Sequence, residues 1–237
     1  MSAQMQTRPD LQARIAGLLY MLVIGASVFA LVATSGLIAP GDATRTAANI
    51  TASEQLFRYA FAANLLACVA YVAVVAILYE VLRPAGRALS VTAAFIGLAG
   101  CAVSGAGMSN QIAALGFLGD ASAQSGFAAQ QLHFLARASL RQSGLANSIA
   151  LVFFGFYCLL LASLVFRSRF LPRILSVALT IAGLGWVIGS FSGFVAPSLG
   201  LASYLLPISG LGELLFTLWL LVMGVNADKW RAQASRI

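Results

Sequence analysis

The chain has 237 residues, of which 60% are apolar and only 9% are charged. Soluble domains carry about 25% charged residues and disordered chains are poor in apolar residues, so the composition excludes both classes and predicts a polytopic membrane protein. The 14 cations and 7 acids give a net charge of +7. Because the cations lie in short clusters between apolar runs, they indicate membrane topology and contact with anionic lipid headgroups, not binding of nucleic acid.

Six apolar runs are long enough to cross a bilayer as helices, which takes about 20 residues. The first is too long for the apolar core of a signal peptide, which has about 7–15 residues. Pro172 falls near the first turn of the fifth run, where proline is tolerated. The sequence thus predicts an all-α, single integral membrane domain, a bundle of six transmembrane helices with no appended soluble domain. The predicted spans are 15–38, 57–82, 89–118, 144–166, 171–196 and 205–225.

Six spans place both termini on the same side of the membrane, and the cations predict which side. Ten cations lie at the termini and in the loops on that side, against four on the other side. Since cytoplasmic loops are enriched in Lys and Arg, we expect both termini to be cytoplasmic. The ten are Arg8, Arg14, Arg83, Arg87, Arg167, Arg169, Arg173, Lys229, Arg231 and Arg236, and the four are Arg45, Arg58, Arg137 and Arg141.

Two longer segments connect the spans on the predicted outer side. In the first, residues 40–44 (PGDAT) are typical of a turn, and the spacing of Thr51 and Glu54 predicts a capping box at the start of the second span. In the second segment, residues 119–143, we expect a helix that begins at Phe127 and continues into the fourth span.

The cysteines and the one histidine argue against a metal or cofactor. Cys68, Cys101 and Cys158 lie inside apolar runs without CxxC spacing, which is typical of small buried packing residues. A single histidine, His133, excludes bis-histidine haem and most zinc sites built from this chain alone. The sequence also lacks the usual phosphate-loop, zinc-protease, serine-hydrolase and EF-hand motifs, so we expect no cofactor and no metal.

Short segments form an ordered series along almost the whole chain. They are 14–20 (RIAGLLY), 42–43 (DA), 47–50 (AANI), 56–58 (LFR), 78–84 (LYEVLRP), 153–156 (FFGF), 167–173 (RSRFLPR), 181–185 (IAGLG), 212–213 (GE) and 218–221 (LWLL). Together they resemble the bacterial multi-pass membrane family known as domain of unknown function 4386. Trp186 stands where that resemblance leads us to expect tyrosine, a change that an aromatic packing role tolerates. The resemblance implies a helical bundle in the bacterial inner membrane, and it supplies no activity or catalytic residues.

Glu213 is the clearest ionisable residue inside a predicted span. It lies about eight residues into the sixth run, which at about 1.5 Å per residue is roughly 12 Å below the outer end. A charge at the centre of a span costs about 2.5–3.5 kcal/mol on insertion scales, so such residues tend to face other helices or a cavity. Glu213 is then either a protonated or ion-paired tie between helices, or a group with a ligand, proton or catalytic role.

Arg58 opens the second span, with Glu54 four residues before it. The order of acid before base favours an i,i+4 pair on one helical face. The alternative is that Arg58 turns inward toward Glu213, and one arginine can serve both acids.

Other polar side chains complete the candidate site. Asn64, Cys68 and Tyr71 share one face of the second span, while His133, Arg137 and Arg141 form an i, i+4, i+8 stripe. That stripe is either an edge facing solvent or headgroups, or a wall that binds a phosphate or carboxylate. The candidate ligand-binding residues are Glu213, Arg58, Asn64, Gln111, His133, Arg137, Arg141 and Asn147.

Most of these polar groups fall in the predicted outer halves of the spans, which predicts a polar cavity or network open to the outer face. Small residues recur every four positions in the third and fifth spans, so these helices can pack closely, either within the molecule or against another copy. They are Gly97, Cys101 and Gly105, and Gly185, Gly189 and Gly193.

Three functions fit this pattern. The first is a membrane protein that binds or passes a small amphipathic, lipid-like ligand, with Glu213 and Arg58 at its polar core and Arg137 and Arg141 at its mouth. The second is a membrane-embedded enzyme acting on a lipid or isoprenoid, with Glu213 as acid or base. The third is an accessory subunit whose polar groups only fasten helices. Membrane lipids are the expected partners, and nucleic acid is not.

Overall fold

The computed structural model describes residues 8–119 and 126–236, and these residues form helices without any strand. The predicted all-α class is therefore confirmed. Residues 120–125 of the second predicted outer segment lie outside the described residues. The helices are α1 (Pro9–Ser35), α2 (Ala43–Ala52), α3 (Glu54–Leu82), α4 (Arg87–Leu118), α5 (Ala129–Arg167), α6 (Ile174–Val195), α7 (Ala202–Val222) and α8 (Ala227–Ala234), with 3₁₀ turns at Arg83–Ala85 and Pro197–Leu199.

Six of the described helices, α1 and α3 to α7, are long and apolar enough to cross a membrane, with mean hydropathies between 1.7 and 2.6. They correspond to the six predicted spans. Large apolar side chains on them are exposed, among them Leu31 (68%), Phe95 (69%) and Ile174 (69%). Such exposure is unfavourable in water and expected in a lipid environment. The chain is a multi-pass membrane protein.

The helix ends agree with the sequence in one place and differ in another. The helix predicted from Phe127 into the fourth span is confirmed, because α5 runs unbroken for 39 residues and begins at Ala129. The fifth spanning helix does not contain Pro172, however, since α6 begins only at Ile174. Pro172 stands just before it, and its carbonyl accepts a hydrogen bond from Leu175 N at 3.1 Å.

The predicted capping box is wrong, because the first outer segment holds a helix of its own. Asp42 caps α2, and its Oδ1 accepts a hydrogen bond from Arg45 N at 2.8 Å. With the N-terminus of α2 satisfied there, Thr51 lies in the last turn of α2, while Glu54 starts α3. Of the predicted turn at residues 40–44, only Pro40 and Gly41 precede this cap, with Gly41 at a positive φ of 84°; the helix α2 already begins at Ala43.

The chain divides into two compact units, each with its own apolar core. The first unit contains the described residues of Met1–Leu22, Ala70–Gly100 and Leu151–Ile237, and the second contains Val23–Val69 and Cys101–Ala150. The core of the first unit includes Tyr20, Leu78, Leu82, Tyr157, Leu164 and Phe216, all almost fully buried. The core of the second is formed by Leu37, Ile50, Phe57 and Leu115, with Leu118 and Leu140 packed against it.

Candidate functional site

Glu213 in α7 has the most polar buried side chain of the first unit, and the residue is 9% exposed. Its Oε1 accepts a hydrogen bond from Trp186 Nε1 in α6 at 2.8 Å and another from Cys158 Sγ in α5 at 3.0 Å. The hydroxyl of Tyr20 in α1 also interacts with the carboxyl group. One acid is therefore bonded to donors from three other spanning helices.

A group of packed aromatic rings adjoins this carboxyl group through Tyr20. The hydroxyls of Tyr20 and Tyr71 lie 3.3 Å apart, and their rings pack edge to face at 5.3 Å between centroids. Tyr71 makes similar contacts with Phe154 at 4.9 Å and with Tyr157 at 6.1 Å. We call Glu213, Cys158, Trp186, Tyr20 and Tyr71 the Glu213 cluster.

Glycines position all three donors. Each donor lies three residues after a glycine, and positions i and i+3 share a helix face. A Cβ on Gly17 would lie 2.5 Å from Leu221 N in α7, and one on Gly183 would lie 2.7 Å from Gly155 O. Only glycine permits these approaches. The helix backbones therefore contact each other about one turn before the residue whose side chain donates to Glu213. The glycine–donor pairs are Gly17 with Tyr20, Gly155 with Cys158, and Gly183 with Trp186.

Helices α6 and α7 also approach each other closely next to Glu213. A Cβ on Gly212 would lie 2.6 Å from Ala178 O and 3.0 Å from Ala182 Cβ, and one on Gly189 would lie 2.9 Å from Leu206 Cδ2. Small residues allow spanning helices to approach in this way. They hold Trp186 and Glu213 on facing helices at hydrogen-bond distance.

The chemistry of the cluster is that of an acid with neutral partners. Among the described residues Glu213 forms no ion pair; the ion pairs there join Arg14 to Asp10, Arg58 to Glu54, Arg83 to Glu80 and Arg231 to Asp228. A carboxylate has about four acceptor sites, and the three donors leave capacity for another. A cationic or hydrogen-bonding group is the natural complement.

Arg58 forms the predicted pair on the surface of α3. Its Nη2 lies 2.7 Å from Glu54 Oε1, and the two side chains are 50% and 48% exposed. This is the i,i+4 arrangement expected from the sequence, in which Arg58 stays on the face of its own helix.

The other predicted ligand-binding residues are dispersed along α3, α4 and α5 of the second unit. Asn64 and His133 are half-buried, Gln111 is 9% exposed, and Asn147 is exposed. Among the described residues His133 Nδ1 is buried without a hydrogen-bond partner. The positively charged stripe on α5 continues through Arg137 and Arg141, which have no ion pair in the described part of the chain. The role of these residues stays a prediction.

Two clefts of the described residues lie away from Glu213. One, of about 510 Å³, lies on the start of α5 beside Phe127 and Phe134. A second, of about 340 Å³, lies against α8 and is lined by Trp230. Glu213 lines neither. Within residues 8–119 and 126–236 no group of three or more His, Cys, Asp or Glu side chains is placed to hold a metal ion.

The sequence identified Glu213 but missed its partners. Cys158 was expected to be a packing residue, and it is a free, buried thiol that also donates to Glu213. Trp186 was expected to serve in packing, and it donates through Nε1. Tyr20 sits in a motif whose glycine, Gly17, is the residue in contact with α7. A glycine stands three residues before a donor in three spans, a regularity whose meaning becomes visible only once the helices are paired.

The predicted stripes of small residues prove to be unequal. Gly185 and Gly189 face α7, near Ser209 and Leu206, whereas a Cβ on Gly193 would have no neighbour within 4 Å. On α4, a Cβ on Gly97 would approach Val75 and Tyr157 at 3.0 and 3.2 Å. The close-packing prediction is therefore confirmed at Gly97, Gly185 and Gly189 and is wrong at Gly193.

Comparison with known proteins places the chain in a family. The family model described as Domain of unknown function (DUF4386) matches residues 15–224. Comparisons with curated proteins and with solved structures find no match. Tyr20, Cys158, Trp186 and Glu213 all fall within the matched region, as do all six spanning helices for most of their length. Because the match covers most of the chain and the helices are those of a multi-pass membrane protein, the chain belongs to the DUF4386 family.

Proposed function

We propose that this protein lies in the bacterial inner membrane with both termini in the cytoplasm, and that it binds or passes a small amphipathic ligand at the Glu213 cluster. The observation that carries the proposal is the buried carboxyl group with three neutral donors and no cation beside it among the described residues. Intramembrane acids are costly, and neutral side chains can fasten helices without that cost. An acid kept at this position favours a role beyond fastening.

The surroundings of the carboxyl group favour one class of ligand. Tyr20, Tyr71 and Trp186 supply apolar ring surface near the carboxyl group, and the carboxyl group has acceptor capacity left. A molecule with a cationic or hydrogen-bond-donating head and an apolar body complements both. The mouth residues predicted from the sequence, Arg137 and Arg141, belong to the second unit and stay a separate prediction.

The substitution Glu213→Gln tests this proposal, since glutamine keeps the size and one acceptor oxygen but removes the acid. Folded yield and thermal stability are measured in detergent, with and without a total lipid extract of the expression host. We expect the extract to stabilise the parent more than phosphatidylglycerol alone does, and the variant to fold with comparable yield but to lose that additional stabilisation. Asp228→Asn is the matched control, because Asp228 is an exposed acid on α8 and its loss should leave the response intact.

The accessory role is the second candidate, and one observation favours it. All three donors to Glu213 come from the chain itself, and they already join α1, α5, α6 and α7. In that case Glu213→Gln lowers yield and stability without changing any response to lipid. The enzyme alternative requires turnover of an added lipid by the parent that the variant lacks.

A further inference from the structure

A cleft of about 340 Å³ lies in the first unit between the 3₁₀ turn Arg83–Ala85 and α8. Two hydrogen bonds hold α8 in place there: Trp230 Nε1 donates to Val81 O at 2.7 Å, and Gln233 Nε2 donates to Pro84 O at 3.2 Å. The acceptors are carbonyls at and just after the end of α3, where helix carbonyls lack partners of their own. The cleft is therefore formed by fixed elements. Its lining is Arg83, Pro84, Arg87, Trp230 and Ala234.

The two arginines of the cleft differ in their partners. Arg83 Nη1 lies 3.3 Å from Glu80 Oε2, so this cation is partly neutralised. Arg87 is exposed and, among the described residues, its guanidinium forms neither an ion pair nor a hydrogen bond. A guanidinium binds phosphate oxygens through two parallel hydrogen bonds. Arg87 thus offers a phosphate-binding group at the rim of the cleft.

The apolar part of the lining and the position of the cleft favour the phosphate of a phospholipid over a free anion. Trp230 and Pro84 are buried beside the arginines, and tryptophan is typical of the membrane interface. The cleft lies where α3 ends and α4 begins, both spanning helices, which is the level of lipid headgroups. A free anion needs charge alone, whereas a phospholipid also presents apolar groups next to its phosphate.

The surrounding segments are strongly basic. Eight cations and two acids lie in residues 80–87, 167–173 and 226–236, so the local field attracts anions. We propose that this cleft binds the phosphate of an anionic phospholipid, with Arg87 as its principal ligand and Trp230 against the glycerol region. This site is separate from the Glu213 cluster and does not depend on the function proposed for it.

Binding of phosphatidylglycerol to the purified full-length protein in neutral detergent tests the proposal, with native mass spectrometry as the readout. We expect Arg87→Gln to weaken binding about tenfold, the effect of losing a charge-assisted hydrogen bond. Lys229→Gln is the matched control, because it removes an exposed cation of the same region that does not line the cleft. Equal weakening in the two variants would mean general surface attraction and would overturn the proposal.

A second variant changes the volume of the cleft without changing its charge. Ala234→Leu keeps every cation and fills part of the cleft, so it should also weaken binding of phosphatidylglycerol, while Glu213→Gln should bind it as the parent does. Phosphatidylcholine and inorganic phosphate are the comparison ligands, and both should bind much more weakly. If inorganic phosphate competes as well as the lipid does, or if Ala234→Leu binds normally, the lipid site is ruled out.

Discussion

Among the described residues, the carboxyl group of Glu213 in its membrane-spanning helix is bonded to neutral hydrogen-bond donors and to no cation. Its carboxyl group receives bonds from Trp186 Nε1 at 2.8 Å and Cys158 Sγ at 3.0 Å, together with the Tyr20 interaction. Interhelical hydrogen bonds in membranes contribute up to about 1.7 kcal/mol each, so the three together are of the same order as the insertion cost of one acid, about 2.5–3.5 kcal/mol. The donors can therefore make the position tolerable without a counter-cation.

The substitution Trp186→Phe should isolate one of these bonds. Phenylalanine keeps an aromatic ring against α7 but has no N–H, so Glu213 loses its shortest hydrogen bond. Interhelical hydrogen bonds in membranes contribute about 0.6 kcal/mol on average and about 1.7 kcal/mol at most. We expect the free energy of unfolding, measured by SDS titration in mixed micelles, to fall by about 1 kcal/mol or more.

Trp219→Phe provides the comparison for that measurement. Trp219 is a half-buried tryptophan of α7, and its indole has no hydrogen bond among the described residues. Both substitutions remove the same atoms, so the difference between them reports the bond to Glu213. Equal losses of stability would show that the Trp186 bond contributes nothing.

Glu213 could be predicted from the sequence and its donors could not. An acid among apolar residues is visible in any single helix, because its position follows from counting along the chain. Which residues face it depends on the rotation and separation of α1, α5 and α6, which no local pattern fixes. The glycines at 17, 155 and 183 determine that separation, but their effect is visible only once the helices are paired.

At the level of elements, α6 and α7 form a seam of small residues that holds Trp186 opposite Glu213. Gly185 and Gly189 of α6 face Ser209 and Leu206 of α7, while Gly212 faces Ala178 and Ala182 of α6. Lipid is as apolar as these side chains, so the seam gains stability from close packing and from the hydrogen bond it permits.

Gly212→Ala should open this seam. The added Cβ would lie 2.6 Å from Ala178 O, and a backbone atom can move away only if the helices separate. Overpacking of this kind costs about 1–3 kcal/mol, and we expect a loss of that size in the same SDS titration. Tryptophan fluorescence should shift as well, because Trp186 moves away from Glu213.

Gly210→Ala, two residues earlier in α7, is the matched control. A Cβ there would meet nothing within 4 Å, so the change should be neutral or stabilising by up to about 1 kcal/mol, since alanine favours a helix over glycine. If both alanines destabilise alike, close packing at Gly212 is not what holds the seam.

The number of spanning helices could be predicted because each needs about 20 apolar residues, a signal carried by the whole run. Ends were harder. The turn residue Asp42 proved to be the N-cap of α2, a helix of ten residues with too few apolar positions to stand out. Helix α5, by contrast, continues past its apolar run to Ala129, which its amphipathic stripe had indicated.

On the scale of the whole molecule, the low charge content has two consequences. It leaves many large apolar side chains exposed, as lipid-facing helices require, and it makes the few charges decisive for topology. If each of the six helices crosses the membrane once, as their length and hydropathy lead us to expect, both termini lie on one side. With ten cations there and four opposite, the positive-inside rule gives a clear expectation.

Reporter fusions in bacterial cells test that orientation. Green fluorescent protein fluoresces in the cytoplasm, and alkaline phosphatase is active only outside it. We expect fluorescence and no phosphatase activity from fusions at either terminus, because moving the ten-cation side across the membrane opposes both the charge bias and the membrane potential. A phosphatase inserted after Gly41, in the turn before α2, should be active. Active phosphatase at both termini would show that the orientation is the reverse of the predicted one, with the Arg87 cleft on the outer face.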